Sequence, residues 1–202
     1  MSYNPDDIPK FDPKLLVFTA PSGAGKTTIV RYLLKTYEFL GFSISATNRE
    51  KRPKEVDGKD YYFLSTEVFN KKVEAGDFIE WEEVYERQYY GTLKSEVTRI
   101  WNQEKYVVFD MEVKGATNIK KLYGDKAFVV FIRPPSLETL VQRLKDRNTE
   151  SPQSLRKRIN RVRHEMTYKE TFDYVLVNDV LDVSLKEAEI ITESFILGKL
   201  SS

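Results

Sequence analysis

The chain has 202 residues, 32 of them basic and 31 acidic, giving a formal net charge of +1, and it has no cysteine. Balanced charge leaves no long-range field to favour a nucleic acid or an anionic membrane, so any anion must be recognised locally. The missing cysteines exclude disulfides, thiolate metal sites and a Cys nucleophile together, and the length suits one domain with insertions.

Met1 to Pro13 carries Asp6, Asp7 and Asp12 and three prolines rather than a basic stretch followed by an apolar one, so residues 1–13 read as a loose leader, not a secretory signal. No apolar run reaches the roughly 18 to 20 residues of a membrane span, and the expectation is a soluble cytoplasmic protein. Leu15-Leu16-Val17-Phe18-Thr19 is a short, nearly continuous apolar segment suited to a strand buried on both faces. Ile29, Val30, Leu33 and Leu34 then recur at helical spacing, predicting a helix from Lys26 to about Tyr37.

Between strand and helix lies Ala20-Pro21-Ser22-Gly23-Ala24-Gly25-Lys26-Thr27, followed by Thr28. This is a P-loop pattern: small residues let successive backbone N–H groups turn toward a polyphosphate, the helix N-terminus adds positive potential, and Lys26 adds a full charge. Thr27 is placed to hold Mg²⁺. The pattern normally opens with Gly, and Ala20 is tolerable there only at negative φ. A glycine-containing turn with a solvated lysine is the alternative.

Gly41 to Ser45 returns to the two-residue alternation of a strand. Ala46 to Asp60 is polar, with Arg49 and Arg52 three apart and Pro53 and Gly58 as breakers, and nothing in it resembles core. Tyr61 to Leu64 resumes a strand; Ser65 suits the N-cap of a helix through Val68, Phe69 and Val73 that Gly76 ends. Phe78-Ile79-Glu80-Trp81 sets a carboxylate among large apolar residues, and Tyr89-Tyr90-Gly91-Thr92 follows a polar loop, so a small concave site is expected. For Glu80 alone, an outward-facing strand residue and a functional carboxylate fit the pattern equally.

Tyr106 to Asp110 is a second apolar strand and ends in a carboxylate; in an open parallel sheet Asp110 would emerge beside the P-loop, where an acid can orient Mg²⁺ or its waters. Ala127 to Ile132 and Tyr174 to Val177 are further strands, so strands alternating with helices predict a parallel sheet covered on both sides. Leu137 to Leu144 reads as a helix interrupted around Arg147 to Glu150. Ser151 and Pro152 open another, carrying Arg156, Lys157, Arg158, Arg161 and Arg163, whose basic side is a solvated face or an RNA-binding one, with charge balance against the latter. His164 is expected to be exposed. Ser184 to Leu197 is a last amphipathic helix.

The ordered motifs resemble the guanylate kinase family, the nucleoside monophosphate kinases that phosphorylate GMP from ATP. The resemblance runs from the P-loop strand to about Asp182. It rests on Phe42-Ser43-Ile44-Ser45 leading to Arg49 and Arg52, on Glu55 to Tyr61, on Phe78 to Trp81 and on Tyr89 to Thr92, in that order. It implies an α/β fold, a P-loop NTPase-type parallel sheet covered by helices, with a small α+β GMP-binding insertion and a helical lid. The core would comprise 14–44 and 93–202, the insertion 45–92 and the lid about 144–158.

Carried over by residue, the resemblance implies that Pro21, Ser22, Gly23, Ala24, Gly25, Lys26, Thr27, Thr28 and Asn178 bind ATP, with Asn178 near the adenine. Arg49, Arg52, Tyr61 and Tyr90 would hold the GMP phosphate, Ser45, Glu80 and Thr92 would read guanine, and Glu112 would also contact GMP. Arg147 and Arg158 would be lid cations, acting in catalysis with Lys26 and Arg49, and Thr27 and Asp110 would serve Mg²⁺. The implied partners are ATP and GMP, with no nucleic acid or membrane, in a monomer or homodimer.

Three departures stand out. Glu112 replaces the family's usual Asp, Lys114 stands where Gln is usual, and the loop Val84 to Gln88 is one residue longer than common. They are expected to alter the edge of the GMP pocket, not the reaction. The rival readings are a guanylate-kinase-like protein-binding module without catalysis and a kinase of another small phosphorylated substrate. Lys26, Thr27, Asp110, Arg147 and Arg158 speak against the first, and Glu80, Ser45 and Thr92 against the second.

Overall fold

A computed structural model describes residues 11–146, 152–168 and 171–200. In chain order the elements are β1 (Leu15–Thr19), α1 (Lys26–Thr36), β2 (Leu40–Phe42), β3 (Ala46–Thr47), β4 (Tyr62–Phe63), α2 (Thr66–Glu74), β5 (Phe78–Tyr85), β6 (Gln88–Leu93), α3 (Lys94–Trp101), β7 (Tyr106–Met111), α4 (Val113–Tyr123), β8 (Ala127–Arg133), α5 (Leu137–Asp146), α6 (Pro152–Met166), β9 (Tyr174–Val177) and α7 (Leu181–Ile196). A short 3₁₀ turn at Gly124–Lys126 joins α4 to β8. None of the described helices is long and apolar enough to cross a membrane.

The larger sheet has the order β2-β7-β1-β8-β9, and all its pairings are parallel. In β1, Leu16 and Phe18 face a core with Ile29 and Leu33 of α1 and Ile191 and Phe195 of α7, whereas Leu15 and Val17 face one with Val97 and Ile100 of α3 and Ile119 of α4. A strand covered on both sides has no polar face, which is why the apolar run is continuous. Ala20 is buried beyond it, and it is not among the non-glycine residues at positive φ, so its methyl group lies in a tolerated conformation.

The second sheet has the order β4-β3-β6-β5. It closes over a smaller core of Ala46, Phe69, Phe78 and Leu93, with Phe69 stacked on Phe78 at a centroid distance of 4.6 Å. The expectation that nothing from Ala46 to Asp60 belongs to a core is therefore corrected: Ala46 and Thr47 are fully buried. Two residues of strand are too few to show a period, so the polar stretch after them masked the pattern.

Other boundaries also moved. The strand expected over 41–45 ends at Phe42, because residues 43–45 carry the chain from one sheet to the other. The expected loop at 84–88 is a hairpin turn in which β5 continues through Tyr85 and only Glu86 and Arg87 lie outside the strands, with Arg87 at φ 58°. The pairing is irregular between Glu83 and Tyr85, where β5 has one residue more than the facing stretch of β6. Helices α3 and α4 were not foreseen, and α7 begins at Leu181 rather than Ser184. His164 is exposed as expected.

The crossing between sheets is fixed by Glu96 in the first turn of α3. This buried carboxylate accepts the Ile44 backbone N–H at 3.0 Å, the Tyr62 hydroxyl at 2.8 Å and two guanidinium bonds from Arg99 at 2.9 and 3.0 Å. Burial alone would raise its pKa, but these donors outweigh burial and lower it.

Gly41 in β2 lies where a methyl group would come within 2.4 Å of Ile100 Cγ2. Gly41→Ala should therefore destabilise the fold by roughly 1 to 3 kcal/mol through overpacking. In thermal or urea unfolding, Gly41→Ala combined with Ile100→Ala should be less destabilised than the sum of the single variants.

Candidate active site

Parallel register sets the site. Phe18 pairs with Asp110 and Thr19 with Met111, so β1 and β7 finish side by side and the loop after β1 begins beside the acid one residue before the end of β7. Thr27 Oγ1 donates to Asp110 Oδ2 at 2.9 Å, and Lys26 Nζ forms an ion pair with Asp110 Oδ1. Burial lowers the Lys26 pKa to about 8, against the opposing charges of Glu112 and Glu165.

Gly23 and Gly25 adopt φ of 92° and 95°, and Ala24 N–H closes the turn on Pro21 C=O at 3.1 Å. At Gly25 glycine is required twice over: the conformation is left-handed, and a Cβ would stand 2.2 Å from Asn178 Nδ2. Asn178 is buried and donates to Ala24 C=O at 2.8 Å, so the structure places it under the loop. Helix α1 starts at Gly25 without a side-chain cap, which leaves its N-terminal N–H groups facing the cleft lined by residues 20–28.

A second cleft adjoins the first, and the two share Lys26, Ser45, Arg52, Glu55, Tyr61, Asp110 and Glu112 in their walls. Along its rim, Arg49 is fixed by two bonds to Glu55, at 2.6 and 2.7 Å, and by Nε donation to the Tyr90 hydroxyl at 3.1 Å, with its guanidinium 5.0 Å from the Tyr61 ring centre. The Arg49 guanidinium holds the Glu55 carboxyl down at about 2. Glu55 also accepts the Arg52 backbone N–H at 2.8 Å, which sets the turn that presents Arg52 over both clefts.

At the floor, Glu80 is 8% exposed and accepts the Thr92 hydroxyl at 2.8 Å. Burial raises its pKa to about 7, with the Thr92 hydrogen bond acting in the opposite direction. Thr92 itself is fully buried, donates its hydroxyl hydrogen bond to Glu80 and is not part of the cleft lining. Ser45 does line the cleft. Glu82 and Tyr85, on the same edge, were not singled out from sequence, although Glu82 follows Glu80 at the two-residue period of a strand face.

Glu112 lines both clefts and is ion-paired to Arg161 of α6 at 2.8 Å. Arg161 also bonds Glu165 at 2.7 Å. The basic helix is therefore not a solvated face throughout: Arg161 turns inward to two carboxylates. Arg147 lies outside the described residues, and of Arg158 only its place in α6 is described.

The family model described as "Guanylate kinase" matches residues 12–194. A guanylate kinase of Porphyromonas gingivalis is 50% identical over 169 residues, covering 83% of this chain and 90% of the relative. One from Salinibacter ruber is 48% identical over 176 residues, covering 87% and 93%. In fold, the chain is similar to the crystal structure of guanylate kinase from Anaplasma phagocytophilum, with a TM-score of 0.72 at 24% identity over 92% of this chain and 87% of the other.

The Glu80 arrangement makes a direct prediction. Thr92→Val removes the one hydroxyl that lowers the Glu80 pKa, so the carboxyl should titrate above its present value of about 7, whereas Thr92→Ser should leave it near that value. Carboxyl-selective NMR titration of the three proteins would read the shift. An unchanged titration in Thr92→Val would mean that burial, the Glu82 charge and the Thr92 backbone set it without the hydroxyl.

Proposed function

The chain belongs to the guanylate kinase family, and on that premise we propose that it transfers the γ-phosphoryl group of ATP to GMP, giving ADP and GDP, with dGMP accepted as well. The observation that carries this reading is the shared wall of the two clefts: Lys26, Asp110 and Glu112 lie where a P-loop-bound polyphosphate and a ligand over Glu80 would meet. Chemistry there needs no protein nucleophile. A GMP phosphate oxygen, ionised at neutral pH, forms the new P–O bond as the bond from the γ-phosphorus to the β-phosphate oxygen breaks.

The protein's part is to align two polyanions and spread their charge. Loop N–H groups and Lys26 take the ATP phosphates, with Pro21, Ser22, Gly23, Ala24, Gly25, Thr27 and Thr28 forming the cradle and Asn178 supporting it from below. Arg49, Arg52, Tyr61 and Tyr90 take the GMP phosphate. Arg49 is already fixed by Glu55, so it does not have to be ordered when GMP arrives. Arg147 and Arg158 complete the charge on closure of a lid at about 144–158 over a GMP subdomain at 45–92.

The proposed cation is Mg²⁺. One hydroxyl and one carboxylate, Thr27 and Asp110, stand at the P-loop cleft, and among the described residues no group of three or more His, Asp and Glu is arranged to hold a metal. That donor set fits a cation that keeps its waters and arrives on polyphosphate. When bound, Mg²⁺ neutralises phosphate charge. The proposal includes the cytoplasm as compartment and a monomer or homodimer as the working form.

Guanine presents N1–H and N2–H donors beside the O6 acceptor, which suits an ionised Glu80 with the Ser45 hydroxyl at O6. Thr92 then acts by aiming Glu80. This favours a base-reading kinase over a kinase of some other phosphorylated substrate, and the Lys26–Thr27–Asp110 cluster favours catalysis over a protein-binding module.

Lys26→Met should lower turnover by roughly a hundred- to a thousand-fold, the cost of removing one preorganised charge at the reacting group, and leave GMP binding largely intact. A coupled ADP-release assay beside GMP titration calorimetry separates the two. Turnover near wild type would refute the P-loop role.

Glu80→Gln exchanges one acceptor for a donor, so kcat/KM for GMP should fall severely and the GMP-to-AMP ratio should narrow from the 10⁴ to 10⁵ typical of sites that would leave buried polar groups unpaired, by about an order of magnitude or more. The same carboxylate gives a pH signature. With its pKa raised to about 7, Glu80 is mostly protonated at pH 6 and mostly ionised at pH 8. GMP affinity should therefore increase about tenfold over that interval, beyond the change seen in Glu80→Gln. Ionisation of the GMP phosphate is common to both proteins and cancels in the comparison. For stability the sign is opposite: a raised carboxyl pKa stabilises the ligand-free fold below the unfolded value and loses that contribution as pH rises through 7.

A further inference from the structure

Arg161 is the side chain through which three separately built parts of the site meet. It projects from α6, its Nη2 donates to Glu112 Oε2 at 2.8 Å and its Nε to Glu165 Oε1 at 2.7 Å. Its guanidinium carbon lies 5.3 Å from the ring centre of Tyr85 in the β5 hairpin. Glu112 follows the last residue of β7 and leads into α4, and it forms part of the wall between the two clefts.

The carboxylates it holds pose a problem for the reaction. Glu165 is 5% exposed, and its second oxygen has no hydrogen-bond partner among the described residues. Together with Glu112 it is one of the charges felt by Lys26. An unneutralised Glu112 at this wall would repel both incoming phosphate groups, and Glu165 lies buried behind it, its pKa raised by burial to about 7 against the lowering effect of Arg161. Arg161 carries the opposing charge and bonds both of them.

We infer that Arg161 is a positioning residue for phosphoryl transfer: it neutralises Glu112 in the cleft wall, is itself held by the buried Glu165, and fixes α6 against the cleft. The inference rests on the kinase reading above. It also gives a physical meaning to the glutamate at position 112. Glu112 reaches the guanidinium of α6 while remaining in the cleft wall, and it ties that helix, which carries Arg158 three residues earlier, to the place where the nucleotides meet. Tyr85 covers the guanidinium from the opposite side, so the hairpin, the strand end and the helix share one cation.

The test uses the full chain and compares wild type, Arg161→Gln, Arg161→Lys and the double variant Arg161→Gln/Glu165→Gln. Each is assayed for kcat and KM with GMP and ATP, for GMP binding without ATP, and for thermal stability. Arg161→Gln should lower kcat on the order of tenfold or more, with a smaller change in GMP binding, because the uncompensated charge is felt most when both nucleotides are present. Arg161→Lys should recover part of kcat by restoring charge without the forked geometry. The double variant should also recover part of it, by removing the charge that Arg161 opposed.

Wild-type kinetics in Arg161→Gln would overturn the inference. So would a loss recovered by neither companion variant, since that pattern belongs to packing alone. Should Arg161→Gln fail to fold, the lysine and double variants carry the same test, and a tenfold or greater kcat deficit in both, with stability unchanged, refutes charge compensation. A wild-type protein that does not phosphorylate GMP would refute the kinase reading itself, a result distinct from any pattern among the variants.

Discussion

The register of β1 against β7 is the constraint on which the site depends. Because Phe18 lies opposite Asp110, the turn that begins at Ala20 and the acid one residue before the end of β7 reach the same edge of the sheet. A slip of one residue would reverse the faces, sending Leu16 and Phe18 toward α3 and α4 and moving Asp110 away from Lys26. Such a slip would disrupt two well-packed cores at once. The geometry of the charged site is thus held by apolar side chains that never touch a ligand.

The charges show a consistent division. Glu55 is paired with Arg49, Asp110 with Lys26, and Glu112 and Glu165 with Arg161. Glu80 differs: its hydrogen-bond partner is the neutral hydroxyl of Thr92, and burial raises its pKa. In the proposed function that difference has a purpose. A guanidinium or ammonium on Glu80 would compete with the N–H donors of a base, whereas a hydroxyl fixes one oxygen and leaves acceptor positions for them. Glu55, Asp110 and Glu112 in the cleft walls are paired with cations, and the carboxylate proposed to read a neutral base is not.

Much of this was legible in the chain because the informative segments are locally complete. The P-loop carries its own strand before and helix after, and the apolar runs at 15–19, 106–110, 127–132 and 174–177 need both faces covered, so the parallel sheet followed from them. What escaped depends on contacts distant in sequence. Glu96 looks like any first-turn helical carboxylate until Ile44 and Tyr62 arrive at it, and Arg161 looks like one cation among several until Glu112, 49 residues earlier, faces it. Strand β3 escaped for another reason, since two residues carry no period. The bond between Thr92 and Glu80 escaped too, because alternation along β6 does not tell a side chain that lines a cavity from one behind the lining.

Glu96 limits how the two sheets can move. The chain leaves the parallel sheet after Phe42, enters the second at Ala46, and returns from Leu93 directly into α3. Glu96 sits at the return and accepts the N–H of Ile44 on the outward crossing and the hydroxyl of Tyr62 in β4. Both crossings are therefore joined at one buried carboxylate, and Arg99 keeps it charged. Closure of the proposed GMP subdomain by sliding would break at least one of those bonds and leave a buried acceptor unsatisfied, a cost of about 1 to 3 kcal/mol. Rotation about the crossings preserves them. Ser45 adjoins Ile44 at this pivot, so the proposed base-reading residue nearest the crossing would move least in such a rotation.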